Sequence, residues 1–150
     1  MLLHSMGNYL YKQVMDSTAS EGKGLIFDNV VLAAADTNNE DHARWVDQIK
    51  CRRRIYITIN ERDGALRASR IKSGQEQRAR LGHYPYNLYA TSAVYLDVTD
   101  AKYVGSSHAY FEKKPLQNAS LKRFFTSAFN GLAAEGKLEY NNASKMYRVS

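Results

Sequence analysis

Apolar positions in this chain gather into short runs without alternation, and stretches of helical spacing separate them. The opening Met1-Leu2-Leu3 meets His4-Ser5-Met6-Gly7-Asn8, after which residues 9–14 have helix-compatible side chains and spacing. That order predicts the end of a strand, a tight turn and a helix. Gly22 and Gly24 break the pattern before the apolar run at 27–35, whose lack of alternation predicts a strand buried on both faces, as parallel sheets require. Asp36-Thr37-Asn38-Asn39 brings turn and N-cap chemistry. Residues 40–49 then place Ala43, Trp45, Val46 and Ile49 at mostly helical spacing, which predicts a helix. The β-branched and aromatic run at 54–59 predicts a second buried strand, ended by the loop Asn60-Glu61-Arg62-Asp63-Gly64. A short helix over 65–72, stopped by Ser73-Gly74, a third strand over 93–98 and a helix over 121–134 complete the reading. The last helix carries Leu121, Phe124, Phe125, Ala128, Phe129 and Leu132 on one stripe.

Strands separated by helical segments of roughly ten residues are the signature of crossovers in a parallel sheet. The class is α/β, a mostly parallel sheet with flanking helices. No repeat, low-complexity stretch or linker divides the chain, so residues 1–150 form a single domain. In open sheets of this kind ligands bind beyond the carboxyl ends of the strands. Ser5, Asp36, Asp63 and His108 each follow a predicted strand or lie in the loop after one.

Composition narrows the function classes. With 44% hydrophobic and 24% charged residues over 150 positions, the chain is globular and long enough for a core of its own. The net charge of +6 invites an anionic partner, yet the basic residues are scattered and the one run, Lys50 to Arg54, leads into a strand. A nucleic-acid partner is not expected. Cys51 is the only cysteine, which excludes an intramolecular disulfide and a thiolate metal site. No apolar stretch approaches the roughly 20 residues of an integral membrane segment, and no signal peptide is visible. A cytoplasmic location is the default expectation.

The polar residues at the strand ends carry the chemistry. A hydrolase nucleophile sits on a strained strand-to-helix turn that exposes its hydroxyl and aims a helix N-terminus at the developing oxyanion. Leu3-His4-Ser5-Met6-Gly7 has that arrangement, with the N–H of Met6 as an oxyanion donor and Gly7 where a side chain is expected to obstruct the turn. Leu3 stands where the usual pattern has a small residue. Serine needs a base to take its proton, and the base needs an acid to hold its tautomer. In α/β hydrolases the order is nucleophile, acid, base, which Ser5, Asp63 and His108 satisfy. Asp36 is an alternative acid and His83 a competing base. His4, adjacent to the nucleophile, is expected to point elsewhere, and His42 to lie on a helix surface.

Four segments, HSMGN at 4–8, NVVLAAADT at 29–37, NERDGALRASR at 60–70 and GSSHAYF at 105–111, give the chain a resemblance to bacterial α/β hydrolases of a domain-of-unknown-function family in the esterase/lipase superfamily. The resemblance implies Ser5 as nucleophile, Asp63 as acid and His108 as base in carboxylic-ester hydrolysis through an acyl-enzyme, with no cofactor and no metal. The substrate it implies is a small-molecule ester or other acyl compound. Complete members have strands before the nucleophile strand, including the loop that donates the second oxyanion N–H. The chain is therefore expected to be a C-terminal portion lacking its N-terminal strands, impaired in activity, and able to self-associate through an exposed sheet edge. A catalytically inactive remnant serving as an interaction module is the rival reading.

Each signal also has a plainer reading. Ser5 and Asp63 are both residues that cap helices. Tyr84, Tyr86 and Tyr89 either line an acyl pocket or simply pack. Asn118-Ala119-Ser120 and Asn142-Ala143-Ser144 match a glycosylation pattern short enough to arise by chance.

Overall fold

The computed structural model describes residues 1–16, 27–71 and 78–150. Gly22, Gly24, Ser73 and Gly74, read above as breaks, lie outside the described residues. Elements follow in the order β1 (Leu2–His4), α1 (Met6–Met15), β2 (Asn29–Ala33), α2 (Ala43–Val46), β3 (Arg54–Ile59), α3 (Gly64–Ile71), β4 (Ala93–Asp97), a 3-10 turn (Pro115–Gln117), α4 (Ala119–Phe129), β5 (Glu139–Asn141) and β6 (Met146–Arg148). The strands form one sheet in the order β1-β2-β3-β4-β6-β5. Every pairing is parallel except that of β5 with β6.

The unalternating runs became the central strands for the reason the pattern gave. All five residues of β2 are buried. Val31 and Ala33 face one layer with Tyr56, Leu66, Leu96, Phe124 and Phe125. Val30 and Leu32 face the other, with Trp45, Val46, Ile55, Ile57 and Tyr95. Helix α4 closes the first layer with Leu121, Phe124, Phe125 and Ala128, and each fully buried Leu or Phe contributes about 1.5–3 kcal/mol by leaving water. Its expected stripe is shorter than the sequence suggested. The helix ends at Phe129, Gly131 takes φ 70° just beyond it, and Phe129 and Leu132 are exposed. Asn118 caps α4 by accepting from Leu121 N–H and is itself buried, so the first glycosylation match is a helix cap.

Two further expectations need correction. The helix over 40–49 is a single turn, 43–46, although Trp45, Val46 and Ile49 are buried as expected. The residues that were to cap it are committed elsewhere. Asn39 donates its amide to the carbonyls of Tyr84 and Tyr86 and Asp36 binds Ser69, while Asp41, inside the expected helix, takes φ 59° and breaks the helical path. The β5–β6 hairpin was not predicted, because its strands are three residues each, too short to display a period.

Parallel pairing of β1 to β4 brings their carboxyl ends to one edge. Ser5 follows β1 directly, Asp36 lies three residues past β2, Asp63 four past β3, and His108 in the long loop after β4.

Candidate active site

Ser5 occupies the turn between β1 and α1 at φ 53° and ψ −124°, a conformation that non-glycine residues rarely adopt. Such strain persists only where the surroundings over-determine it. Here they do: Ser5 N–H donates to the Ala33 carbonyl at 3.1 Å, and the Ser5 carbonyl accepts from Asn8 N–H at 3.1 Å and Asp36 N–H at 3.3 Å. The fully buried Asn8 side chain adds donations from Nδ2 to the carbonyls of Leu3 (3.2 Å), Ser5 (3.1 Å) and Ala33 (3.3 Å). The turn therefore forms with Leu3 in the place of a small residue. Gly7 is not required sterically, since a Cβ there would meet nothing within 4 Å among the described residues.

Ser5 stands at the N-cap position of α1, but its side chain makes no capping hydrogen bond. The plainer reading of Ser5 as a capping hydroxyl thus finds no bond to support it. Met6 opens the helix, so its N–H has no partner within the helix and is oriented by the turn.

Asp63 is completely buried and surrounded by donors. Oδ1 accepts from the N–H groups of Ala65 and Leu66, each at 3.0 Å, which makes Asp63 the cap of α3 as well. Oδ2 accepts from the Tyr110 hydroxyl at 2.6 Å and from His108 Nδ1 at 2.8 Å, and the same Nδ1 lies 3.0 Å from Oδ1. Burial by itself raises the Asp63 pKa, but the hydrogen bonds from His108, Tyr110 and Leu66 outweigh it and hold the carboxyl below its usual range. The His108 imidazole is pushed up from 6.5, chiefly by that bond to Asp63 and against desolvation. A carboxylate can only accept, so Nδ1 carries the proton and Nε2 of the neutral ring is the basic position.

The loop bearing His108 is fixed from three sides. Asn60 Nδ2 donates to the carbonyls of Gly105 (2.9 Å) and Ser107 (3.3 Å), and Gly64 N–H to that of Ser106 (3.3 Å). His4 supplies the third contact. Its Nε2 lies 3.0 Å from the His108 carbonyl oxygen, and the two rings stand 4.7 Å apart. The His4 side chain is thus directed at the backbone of His108, to which it spans from the residue before Ser5. The Ser5 turn and the His108 loop are neighbours through that bridge.

The competing assignments fare differently. Asp36 is held by the Ser69 hydroxyl at 2.9 Å and by Arg80 Nε at 3.1 Å, and it touches no imidazole, although its charge helps raise His108. His83 has its Nε2 buried without a hydrogen-bond partner, and burial lowers its pKa, which suits a neutral packed ring. His42 is buried rather than on a surface, bonded to the Asn39 carbonyl and the Tyr95 hydroxyl. Tyr86 and Tyr89 line a cleft of about 490 Å³ with Glu61, Asp97 and Met146, beside β4 and β6. Neither Ser5 nor His108 borders it. Sequence reasoning missed Asn8 and Tyr110. Asn8, a polar residue one turn into an amphipathic helix, was a usable signal.

Among the described residues no group of three or more His, Cys, Asp or Glu could hold a metal ion. No helix among them is long and apolar enough to cross a membrane. No curated protein and no solved structure matches the chain. A family pattern does, over residues 1–124 of the 150, and it is described as "Alpha/beta hydrolase of unknown function". With that match over most of its length, and with a mostly parallel sheet flanked by helices, the chain belongs to the alpha/beta hydrolase family DUF900.

Proposed function

We propose that this chain carries the acyl-transfer site of a serine hydrolase acting on small carboxylic esters, with Ser5 as nucleophile, His108 as base and Asp63 as acid. The observation that supports the reading most is the His108–Asp63 pair, which leaves Nε2 as the basic nitrogen on a loop bridged to the Ser5 turn. In this scheme Nε2 takes the Ser5 proton as Oγ attacks the ester carbonyl, and Asp63 stabilises the imidazolium. The Met6 N–H donates to the oxyanion, favoured by the N-terminal end of α1. His108 then returns the proton to the departing alcohol, and water, activated by the same nitrogen, releases the acid. The hydrogen bonds from His108, Tyr110 and Leu66 keep the buried Asp63 carboxylate ionised for the task.

Hydrolysis of short-chain p-nitrophenyl esters by the purified chain tests the proposal. Ser5→Ala is expected to remove the serine-dependent turnover. Equal rates in the two proteins would mean that Ser5 is not the nucleophile.

A further inference from the structure

The partners of Asp63 include one group that no step of the scheme uses. Tyr110 is fully buried, and its hydroxyl donates to Asp63 Oδ2 at 2.6 Å, the same oxygen that His108 Nδ1 approaches at 2.8 Å. The other oxygen accepts from two N–H groups of α3 and lies 3.0 Å from the same His108 Nδ1. Rotation about the Cβ–Cγ bond carries both oxygens together, so the Tyr110 bond to Oδ2 adds to the bonds on Oδ1 in fixing that one rotation. We propose that Tyr110 is a positioning residue, whose phenol locks Asp63 in the rotation that receives the His108 Nδ1–H and moderates the charge that His108 meets. The proposal rests on the serine-hydrolase reading for its catalytic consequence but not for its effect on His108.

Three observations carry it. His108 and Tyr110 come from one loop two residues apart, so a single carboxylate receives both prongs of that loop. The phenol lies in the apolar layer with Leu66, Leu96 and Leu121, where burial and the neighbouring Asp63 charge oppose its ionisation, so it stays a neutral donor. Hydrogen bonds to ionised groups are the strong ones, and sharing one oxygen between two donors divides the charge available to each. Among other ionisable groups, Asp36 also raises His108, and Asp63 acts on His83 against the burial that lowers it.

Removing the hydroxyl leaves more of the carboxylate charge to His108, so the imidazolium is favoured and His108 titrates higher, by about half a pH unit. Loss of the lock also loosens the base, which slows Ser5 labelling about tenfold.

The experiment compares the full chain with Tyr110→Phe, which removes a single oxygen. The His108 titration is followed by NMR of the imidazole, and the pH dependence of labelling by a fluorophosphonate is measured in parallel. An upward shift of the His108 midpoint with slower labelling is expected. An unmoved or lowered midpoint overturns the proposal whatever Ser5 does, because a hydroxyl that only fastens the loop would leave it in place. Absence of wild-type labelling beside an upward His108 shift would refute the hydrolase reading and leave the role of Tyr110 standing. Should Tyr110→Phe not fold, 4-aminophenylalanine at position 110 supplies a weaker donor in the same place. A midpoint above that of wild type is then expected, and one equal to it overturns the proposal.

Discussion

Replacing Asp63 by Asn keeps the shape of the side chain and removes its charge. The amide oxygen can still accept from the Ala65 and Leu66 N–H groups, which hold Oδ1 at 3.0 Å in the parent chain. The amide nitrogen then faces the two former donors, the Tyr110 hydroxyl and His108 Nδ1. Both are incompatible with a second donor. The hydroxyl can turn, but the imidazole keeps only its 3.0 Å contact to the oxygen that already serves Ala65 and Leu66, and it loses its shorter bond unless the proton moves to Nε2, the nitrogen that takes the Ser5 proton in the proposed mechanism. A wrong tautomer of this kind costs about ten-thousandfold in rate, equivalent to about 5.4 kcal/mol of barrier at 1.36 kcal/mol per tenfold. The assay is the second-order rate of Ser5 labelling by a fluorophosphonate at pH 8, with a thermal melt to confirm folding. A rate for folded Asp63→Asn within about tenfold of the parent would refute the assignment of Asp63 as the acid.

Other perturbations have equally definite outcomes. Because His108 is held above 6.5 by Asp63, and only the neutral ring is a base, labelling is expected to rise with pH through a midpoint above 6.5; a midpoint below it contradicts the pairing. The same shift contributes stability that is complete below pH 6.5 and is lost as pH climbs through the raised value, whereas the depressed Asp63 contributes stability lost as the solution is acidified through its lowered value. Chemical denaturation at a series of pH values reads both. Ser5→Gly relieves the positive φ of 53° and is expected to stabilise by about 1 kcal/mol, raising Tm by about 2–4 °C, while Ser5→Ala is not. Gly82→Ala drives a Cβ to 2.4 Å from Ala35 N and 2.7 Å from the Ala34 carbonyl carbon, so a loss of about 3 kcal/mol is expected in a thermal melt.

What the sequence made legible were features with local causes. β2 and β3 announced themselves because strands buried on both faces need unbroken apolar runs, and the polar residues after them fell on one sheet edge because parallel strands share a direction. Ser5, Asp63 and His108 stood out as candidates by type and order, and the fold places them after β1, β3 and β4. Features set by tertiary partners were not. The shortened α2 reflects capping residues drawn away to the Tyr84 and Tyr86 carbonyls and to Ser69. His4 turned toward the His108 carbonyl, which no local pattern encodes across 104 positions. Tyr110 read as one aromatic among eleven tyrosines, and only the convergence of its loop on Asp63 distinguishes it.

Peptide mapping of the chain after exposure to a fluorophosphonate addresses the mechanism at its first covalent step. The predicted result is one adduct per chain, on the peptide containing Ser5, absent from Ser5→Ala and strongly diminished in His108→Ala. Labelling spread over other serines, or undiminished when His108 is replaced, would contradict the account.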